Sequence, residues 1–253
     1  MIIGNKETTQ KIIEFLKQNK PFTYLRYGDG DFIAMYPESV GKTIGANNQS
    51  YISLDIQEQL IKGYSVNQEN YLIGTLQDIR HPRSMRNNVD FNKIQSLPIT
   101  HPDVLYSAIA LQESFLENPE QFLEFSQLLS KKRTLYVNHY IEDVLKTFYG
   151  DIKYYVEVPQ FNACQGFKEV LNIIQSIDKN NFDQIILSCG QLSKVLGKSL
   201  YDLYPDKTII DVGSVSDKLI YGTESFKKIR VRGHIRNNGQ LIQDRLKYFI
   251  DNL

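Results

Sequence analysis

The second half of the chain alternates short apolar runs with amphipathic segments, and this alternation limits the possible folds more than any other feature. Four runs are predicted as strands: Thr134–Val137, Tyr154–Val158, Gln184–Cys189 and Thr208–Val212. Helical patterns lie between them at Ile141–Phe148, Cys164–Ile177 and Leu192–Leu203. Strands that alternate with helices over short connections form βαβ units with parallel strands. The predicted fold class is therefore α/β, with a mostly parallel sheet flanked by helices.

The first half has a less regular pattern with both helices and strands. Helices are predicted from Thr8 or Thr9 to Gln18, at Leu54–Tyr64, and near Val104–Leu116 and Glu120–Leu129. Strands are predicted at Phe22–Arg26 and Tyr71–Gly74, with an irregular segment at Gln77–Pro102. We see no internal repeat and no low-complexity linker, so we expect a single domain over residues 1–253.

Composition excludes several classes of protein. The 29 basic and 29 acidic residues give zero net charge, which argues against a partner such as nucleic acid or an anionic membrane. Cys164 and Cys189 lack metal-type spacing and suggest no disulfide framework, so a cytoplasmic location is expected. The N-terminus does not resemble a signal peptide, and no segment approaches the roughly 18 uninterrupted apolar residues of a transmembrane helix. The 16 tyrosines allow an oligomer.

The segment Tyr24–Phe32 is the strongest candidate site in the sequence. Its first half alternates apolar and polar residues like a strand, and Gly28, Asp29, Gly30 and Asp31 follow. Two carboxylates in a glycine-rich turn suit Mg²⁺ or Mn²⁺, and Arg26 is placed to pair with phosphate. Together these residues suggest a diphosphate ligand. The same four residues are also ordinary turn formers, because Asp and Gly tolerate turn dihedrals and Asp caps helices.

Ligands of parallel sheets bind beyond the carboxyl ends of the strands, which selects three further turns. Ser188–Lys194 closes an apolar run and opens a helix, whose N-terminus together with Gly190 and Ser193 could receive a phosphate or a ribose. It could equally be an ordinary loop with a glycine at its turn. It is not a P-loop, because the spacing and the Gly-Lys-Ser/Thr ending are missing.

The other two turns carry Asp211 and His139. Asp211 could accept hydrogen bonds from a ribose or a sugar hydroxyl, or it could cap a helix. His139 could accept a proton, since its ordinary pKa is near neutrality, or it could be structural. Asn162 is a candidate helix cap.

Two basic clusters are candidates for contact with an anionic or sugar acceptor, or are simply solvated loops. They comprise Arg80, His81, Arg83 and Arg86, and Arg230, Arg232, His234 and Arg236.

These residues resemble the motifs of a known family. Arg26–Asp31 is similar to the Arg-x-Gly-Asp-Gly-Glu motif of the bacterial GT-D-type glycosyltransferases. Ile185–Leu196 resembles the family's strand-Gly-Pro-Thr-Ala-helix segment, and Ile209–Gly213 resembles the next strand with its Asp-x-Gly ending. Val158–Ala163 is a fainter match. The resemblance implies a Rossmann-like fold, an Asp-x-Glu metal motif and a nucleotide-sugar donor.

Carried over position by position, the resemblance assigns a role to each candidate residue. It implies that Asp29 and Asp31 hold the metal ion and that Arg26, Gly28 and Gly30 line the diphosphate. Gly190, Gln191 and Ser193 would then lie on the nucleotide or phosphate side. Asp211 and Gly213 would close the edge of the pocket.

The sequence departs from the family pattern at three positions. Asp31 replaces the usual Glu, which shortens that side chain by one methylene group while leaving a metal within reach, directly or through water. Gln191 replaces a proline, and Ser214 replaces a histidine. Any role that the family assigns to that histidine is in doubt here.

The resemblance implies a Mn²⁺- or Mg²⁺-dependent glycosyltransferase that moves a sugar from a nucleotide-diphosphate-sugar donor to a glycan or glycosylated acceptor. The candidates for the catalytic base are Asp211, Asp31 and His139, in that order. Metal-assisted hydrolysis of a nucleotide or sugar phosphate is an alternative for the same residues. A non-catalytic nucleotide- or glycan-binding module is a third possibility.

Overall fold

A computed structural model describes residues 1–44, 50–75, 89–228 and 237–253. Its strands, numbered in chain order, are β1 Thr23–Arg26, β2 Thr43–Ile44, β3 Ser50–Tyr51, β4 Tyr71–Thr75, β5 Tyr106–Ser107, β6 Arg133–Asn138, β7 Asp151–Glu157, β8 Gln184–Leu187 and β9 Thr208–Asp211. Seven of them form one sheet in the order β5-β4-β1-β9-β8-β6-β7, and every pairing described in it is parallel. β2 and β3 form a separate antiparallel pair.

Helices cover both faces of the sheet. They are α1 Asn5–Lys17, α2 Asp29–Ala34, α3 Leu54–Tyr64, α4 Phe91–Gln95, α5 Ala110–Glu117, α6 Pro119–Leu129, α7 Val144–Tyr149, α8 Phe167–Ser176, α9 Leu192–Leu203, α10 Val215–Leu219, α11 Glu224–Lys228 and α12 Gly239–Asn252. Short 3₁₀ helices occur at Pro37–Ser39, Ala163–Gly166 and Lys179–Asn181. The predicted fold class, α/β with a mostly parallel sheet flanked by helices, is confirmed.

Two apolar clusters form the core, one on each face of the sheet. Alternate strand residues contribute to opposite clusters, as the period of two requires: Leu135 and Val137 face one cluster, and Tyr136 between them faces the other. Buried residues of α2, α3, α8 and α9 belong to the first cluster. Those of α1, α5, α6, α7, α10 and α12 belong to the second. The segments that follow β1 and β9 therefore leave the sheet toward opposite faces.

The predicted boundaries agree with the structure where the local pattern is strong. Both Leu54–Tyr64 and Leu192–Leu203 are helices with the predicted ends. The helix expected near Val104 begins only at Ala110, because Tyr106 and Ser107 pair with β4 as an edge strand. Phe91–Gln95 is helical inside the segment predicted to be irregular. Asn162 precedes the 3₁₀ helix at Ala163–Gly166 in a left-handed conformation and makes no side-chain capping bond to it.

In the described part of the chain, no helix has both the length and the apolar character needed to cross a membrane. The two basic clusters of the sequence, at residues 80–86 and 230–236, lie outside the described residues.

Candidate functional site

Three turns meet at the carboxyl edge of the sheet, at the ends of β1, β9 and β8. Arg26, the last residue of β1, donates from Nη1 to the carbonyl oxygen of Val212 over 2.8 Å. Its Nε donates to the carbonyl oxygen of Ala108, just beyond β5. Two of the guanidinium donors therefore connect the end of β1 to the residues that follow β9 and β5. Among the described residues, no hydrogen bond uses the remaining nitrogen, Nη2.

Lys194, in the first turn of α9, is a buried cation between two carboxylates. Its Nζ lies 3.0 Å from Asp211 Oδ2 and 3.6 Å from Asp31 Oδ2, and it donates to the carbonyl oxygen of Gly190 over 2.8 Å. Burial lowers the pKa of Lys194, but attraction to the Asp211 and Asp31 carboxylates outweighs it, so the pKa is raised overall. The ammonium therefore keeps its charge and links the three turns.

The Asp211 carboxylate is engaged at both oxygens. Oδ1 accepts the Gly213 amide over 3.0 Å, and Oδ2 accepts the Arg26 amide over 3.4 Å besides Lys194. The side chain is 1% exposed. Asp211 thus lies beneath the surface of the site and fixes the positions of Arg26 and Lys194.

Asp31 closes the first turn of α2. Its Oδ2 accepts the amide of Gly28, the residue that caps this helix, over 2.8 Å. Burial raises the pKa of Asp31, and the Lys194 ammonium opposes this only in part. Within the described ranges, no hydrogen bond ends on the other oxygen, Oδ1. One oxygen is therefore structural and the other is available.

Asp29 is the least satisfied carboxylate of the site. Its Oδ1 is enclosed and has no hydrogen-bond partner in the described structure. Burial, followed by repulsion from Asp31, raises the pKa of Asp29. Residues two apart on a helix point to different sides. Side chains of a first turn nevertheless lean toward the N-terminus, so both carboxylates come close to the same end of α2.

Two left-handed glycines shape the adjacent turns. Gly190 has a φ of +62° and is exposed, with open space where a Cβ would stand. Gly213 has a φ of +51°, and a Cβ there would overlap the Arg26 guanidinium. Open backbone at Gly190 leaves room for a ligand, whereas Gly213 is required by the close approach of Arg26.

Gln191 and Ser193 differ in what they contact. Gln191 Nε2 donates to the carbonyl oxygen of Gly30 over 3.0 Å, while its Oε1 is enclosed with no partner among the described residues. This bond joins the β8 turn to α2. Ser193 is fully buried, and its Oγ accepts the Cys189 amide over 3.3 Å. The buried hydroxyl of Ser193 therefore stabilises the turn between β8 and α9.

His139 lies apart from this cluster, at the end of β6, two strands from β9. Its backbone amide donates to Asn138 Oδ1 over 2.8 Å, and its ring meets Tyr140 edge to face. Burial lowers the pKa of His139, and the Asp217 carboxylate opposes this only in part. Its Nε2 is enclosed without a hydrogen-bond partner in the part of the chain that the structure describes.

The sequence motifs predict no role for Lys194, although this residue ends the Ser188–Lys194 turn. A usable signal was present in Leu192-Ser193-Lys194-Val195-Leu196-Gly197, all of which is buried. A lysine within a helix turn that is buried all round needs a carboxylate partner. Asp211, which lies 17 residues further along the chain, could not be identified as that partner from spacing alone.

The donor atoms suit a divalent cation that shares its ligands with a substrate. The described residues contain no group of three or more His, Cys, Asp or Glu side chains that could hold a metal by themselves. Asp29 Oδ1 and Asp31 Oδ1 nonetheless offer two carboxylate oxygens without hydrogen-bond partners in the described ranges. Mg²⁺ and Mn²⁺ are commonly held by one or two carboxylates, with waters and phosphate oxygens as the other ligands. The residues present therefore fit such an ion.

Comparison with protein families and solved structures gives a consistent result. A family model described as a GT-D fold-like domain matches residues 3–219. No curated protein sequence matches the chain.

Three solved structures share the fold at low sequence identity. One is described as a highly conserved domain of unknown function 1792 with a distinct glycosyltransferase fold; it has 16% identity, a TM-score of 0.64, and coverage of 85% of this chain and 79% of that one. A second, described as a new glycosyltransferase from Streptococcus sanguinis, has 14% identity, a TM-score of 0.63, and coverage of 85% and 82%. A selenomethionine structure of the same domain type has 17% identity, a TM-score of 0.63, and coverage of 85% and 79%.

Proposed function

The chain belongs to the family of GT-D fold-like domains, and from this premise we propose that it is a metal-dependent glycosyltransferase. It moves a sugar from a nucleotide-diphosphate-sugar donor to a glycan or glycosylated acceptor. The donor lies at the carboxyl edge of the sheet, over the ends of β1, β9 and β8. The observation that carries the proposal is the Oδ1 of Asp29, which is enclosed and has no hydrogen-bond partner among the residues that the structure describes.

The charge balance of the site supports metal dependence. Asp29, Asp31 and Asp211 supply three negative charges, and Arg26 and Lys194 supply two positive ones, which leaves one negative charge. A diphosphate brought to this edge would be repelled. A divalent cation held by the carboxylates would reverse the sign of the site, so we expect metal and donor to bind together.

The position of the site in the topology supports the same assignment. The segments after β1 and β9 leave toward opposite faces, which opens a crevice between the two strand ends. Ligands of open α/β sheets bind at such a switch point. Asp29 and Asp31 belong to α2, which packs on the first cluster, and Gly213 leads into α10, which packs on the second.

The chain's own groups would bind and orient the donor. Asp29 and the Oδ1 of Asp31 would hold a divalent cation, which would stabilise the negative charge on a departing nucleoside diphosphate. Arg26 Nη2 is the guanidinium donor left for a phosphate oxygen. The open backbone at Gly190, before α9, lets a phosphate approach the start of that helix.

Lys194 and Asp211 act as positioning residues in this proposal. The Lys194 ammonium lies 3.6 Å from Asp31 Oδ2 and holds that oxygen by its charge, and Asp211 accepts the amides of Arg26 and Gly213. Of the three candidates for the base that receives the acceptor proton, Asp211 is the most enclosed and Asp31 already serves as a metal ligand, which favours His139.

Calorimetry of nucleoside diphosphate binding, with and without Mn²⁺, tests the proposal. UDP, GDP and ADP are screened first against the unmodified protein, and Asp29→Asn is then compared with it. We expect Asp29→Asn to weaken Mn²⁺-dependent binding at least tenfold, because it removes one of the two carboxylates. Asp251→Asn, an exposed position on α12, is the matched control and keeps full affinity. Equal affinity in all three proteins rules out the metal site.

Product analysis separates transfer from the other two possibilities. Release of nucleoside diphosphate that is stimulated by an added glycan indicates transfer. Free sugar released at the same rate without a glycan indicates metal-assisted hydrolysis, and tight binding with no turnover indicates a binding module.

A further inference from the structure

The ends of β6 and β7 form a second crevice that the donor site leaves unused. After β6 the chain turns to α7 on one face of the sheet, and after β7 it turns to α8 on the other. Neighbouring parallel strands whose connections leave on opposite sides open a gap beyond their carboxyl ends. A cleft of about 280 Å³ lies there.

Polar and apolar groups alternate around this cleft. His139, Glu157, Gln160 and Ser225 line it with hydrogen-bonding side chains, and Tyr140 and Pro159 are among its apolar lining residues. Sugars present hydroxyl groups, which both donate and accept, around an apolar ring face. A few polar groups on an apolar wall are the usual form of a small-ligand site.

Two hydrogen bonds hold the walls of the cleft in place. Tyr140 Oη donates to Asp217 Oδ1 over 2.9 Å, which fixes the phenol ring. The Ser225 amide donates to Glu142 Oε1 over 3.2 Å, which anchors the start of α11. Tyr140 and Ser225 therefore have defined positions in the wall of the cleft.

The charges around the cleft select against an anionic ligand. Glu157 lines it, while Glu142 and Asp217 bond to its lining residues. No Lys or Arg is among the lining residues in the described ranges. The donor site has Arg26 and Lys194, whereas the described lining of this cleft offers no such cation to a phosphate, so a phosphate would be repelled here.

His139 carries the most specific polar signal. His139 lines the cleft, and its Nε2 is enclosed without a partner among the described residues. A buried polar atom of this kind costs free energy until it is bonded. A ligand hydroxyl is a suitable donor, and Glu157 and Gln160 lie nearby to bind the neighbouring hydroxyls.

We propose that the cleft beyond β6 and β7 is the acceptor subsite and binds an uncharged sugar through His139 and Glu157. This inference rests on the proposed function, since it places an acceptor beside the donor. Neighbouring strands lie about 4.8 Å apart, so the end of β6 is about 10 Å from the end of β9. A donor bound over the ends of β1, β9 and β8 can therefore extend its sugar toward β6.

Saturation-transfer NMR with maltose, lactose and chitobiose tests the subsite by binding alone. Ser225→Trp fills the cleft, and Glu157→Ala removes a hydrogen-bonding group from its rim. Lys179→Trp is the matched control, because it adds the same indole at the exposed amino-terminal approach to β8. Glucuronic acid serves as the charged probe, and circular dichroism checks that each variant is folded.

We expect at least one neutral disaccharide to bind the unmodified protein and Lys179→Trp, and to bind Ser225→Trp and Glu157→Ala at least fivefold more weakly. Glucuronic acid should bind more weakly than the neutral sugars. The subsite is overturned if none of the three disaccharides binds the unmodified protein, or if all folded variants bind them equally. Should Ser225→Trp not fold, Glu157→Ala decides the question.

Nucleoside diphosphate binding with Mn²⁺, measured on the same samples, separates this inference from the proposed function. If disaccharides bind at the cleft but no nucleotide binds, the cleft is a carbohydrate site and the proposed glycosyltransferase function is wrong. Nucleotide binding with no effect of the cleft variants on sugar binding keeps the donor site and removes the subsite.

Discussion

Lys194 Nζ donates a hydrogen bond to Asp211 Oδ2 over 3.0 Å, and both side chains are almost completely buried. The bond joins the first turn of α9 to the last residue of β9. It fixes the distance between two turns that the proposed donor must contact together. Removing one partner of a buried ion pair leaves an uncompensated charge in the interior.

We expect Lys194→Met to lower the free energy of unfolding by about 3–5 kcal/mol, because Asp211 and Asp31 both lose their cation. Urea denaturation measures this change. Lys198→Met removes the exposed pair with Asp202 on the same helix and should cost less than about 1 kcal/mol. Similar losses in the two variants would show that the buried pair has no special role.

Gly190 and Gly213 should respond differently to alanine although both are left-handed. Gly190→Ala meets open space, so we expect only the conformational cost of about 1–2 kcal/mol. Gly213→Ala must also displace the Arg26 guanidinium and should cost clearly more. Gly222→Ala, with a φ of +90° and open space, is the control for conformation alone. Thermal denaturation of the three variants is the measurement, and an equal loss in all three would contradict the close approach of Arg26.

Asp29→Asn should stabilise the metal-free protein. The raised pKa of Asp29 means that the folded state binds its proton more tightly than the unfolded state does. In the unfolded state the pKa of this side chain is about 3.9. The free energy of unfolding therefore falls as the pH rises above that value, and ionised Asp29 destabilises the folded state. The thermal midpoint of the variant should exceed that of the unmodified protein at pH 7, and the difference should shrink toward pH 4.

Mn²⁺ should reverse this order, because it binds the carboxylate pair only when both members are present. Added Mn²⁺ together with UDP should raise the midpoint of the unmodified protein and leave that of Asp29→Asn unchanged. If Asp29→Asn is less stable than the unmodified protein at pH 7 without metal, burial of the ionised Asp29 carboxylate does not destabilise the folded state.

His139 should titrate below its ordinary pKa of about 6.5, because burial disfavours the imidazolium. The folded state then binds fewer protons than the unfolded state, so this residue's contribution to stability is full above that value and falls as the pH drops below it. NMR titration of the imidazole signals measures the pKa, and the spectrum of His139→Asn assigns the resonance. A midpoint above the ordinary value would show that Asp217, not burial, dominates.

The local pattern determined which segments are strands and helices. Leu54–Tyr64 and Leu192–Leu203 were predicted with their observed ends, because the spacing of apolar residues in a helix is visible over a short stretch of sequence. The resemblance read from Arg26–Asp31 is confirmed by the family match. β5 was missed because two residues are too few to show a period, and only pairing with β4 makes them a strand.

The tertiary structure alone decided which turns meet. Nothing in the spacing of Arg26, Lys194 and Asp211 places β9 between β1 and β8. That strand order nevertheless brings the Arg26 amide and the Lys194 ammonium within hydrogen-bonding distance of the Asp211 carboxylate. Within the described ranges it likewise leaves Asp29 Oδ1 without a hydrogen-bond partner, and it places His139 at a separate cleft. Secondary structure follows from interactions between near neighbours, which a sequence displays directly. Charge pairing and burial depend on distances through space, which exist only once the sheet has formed.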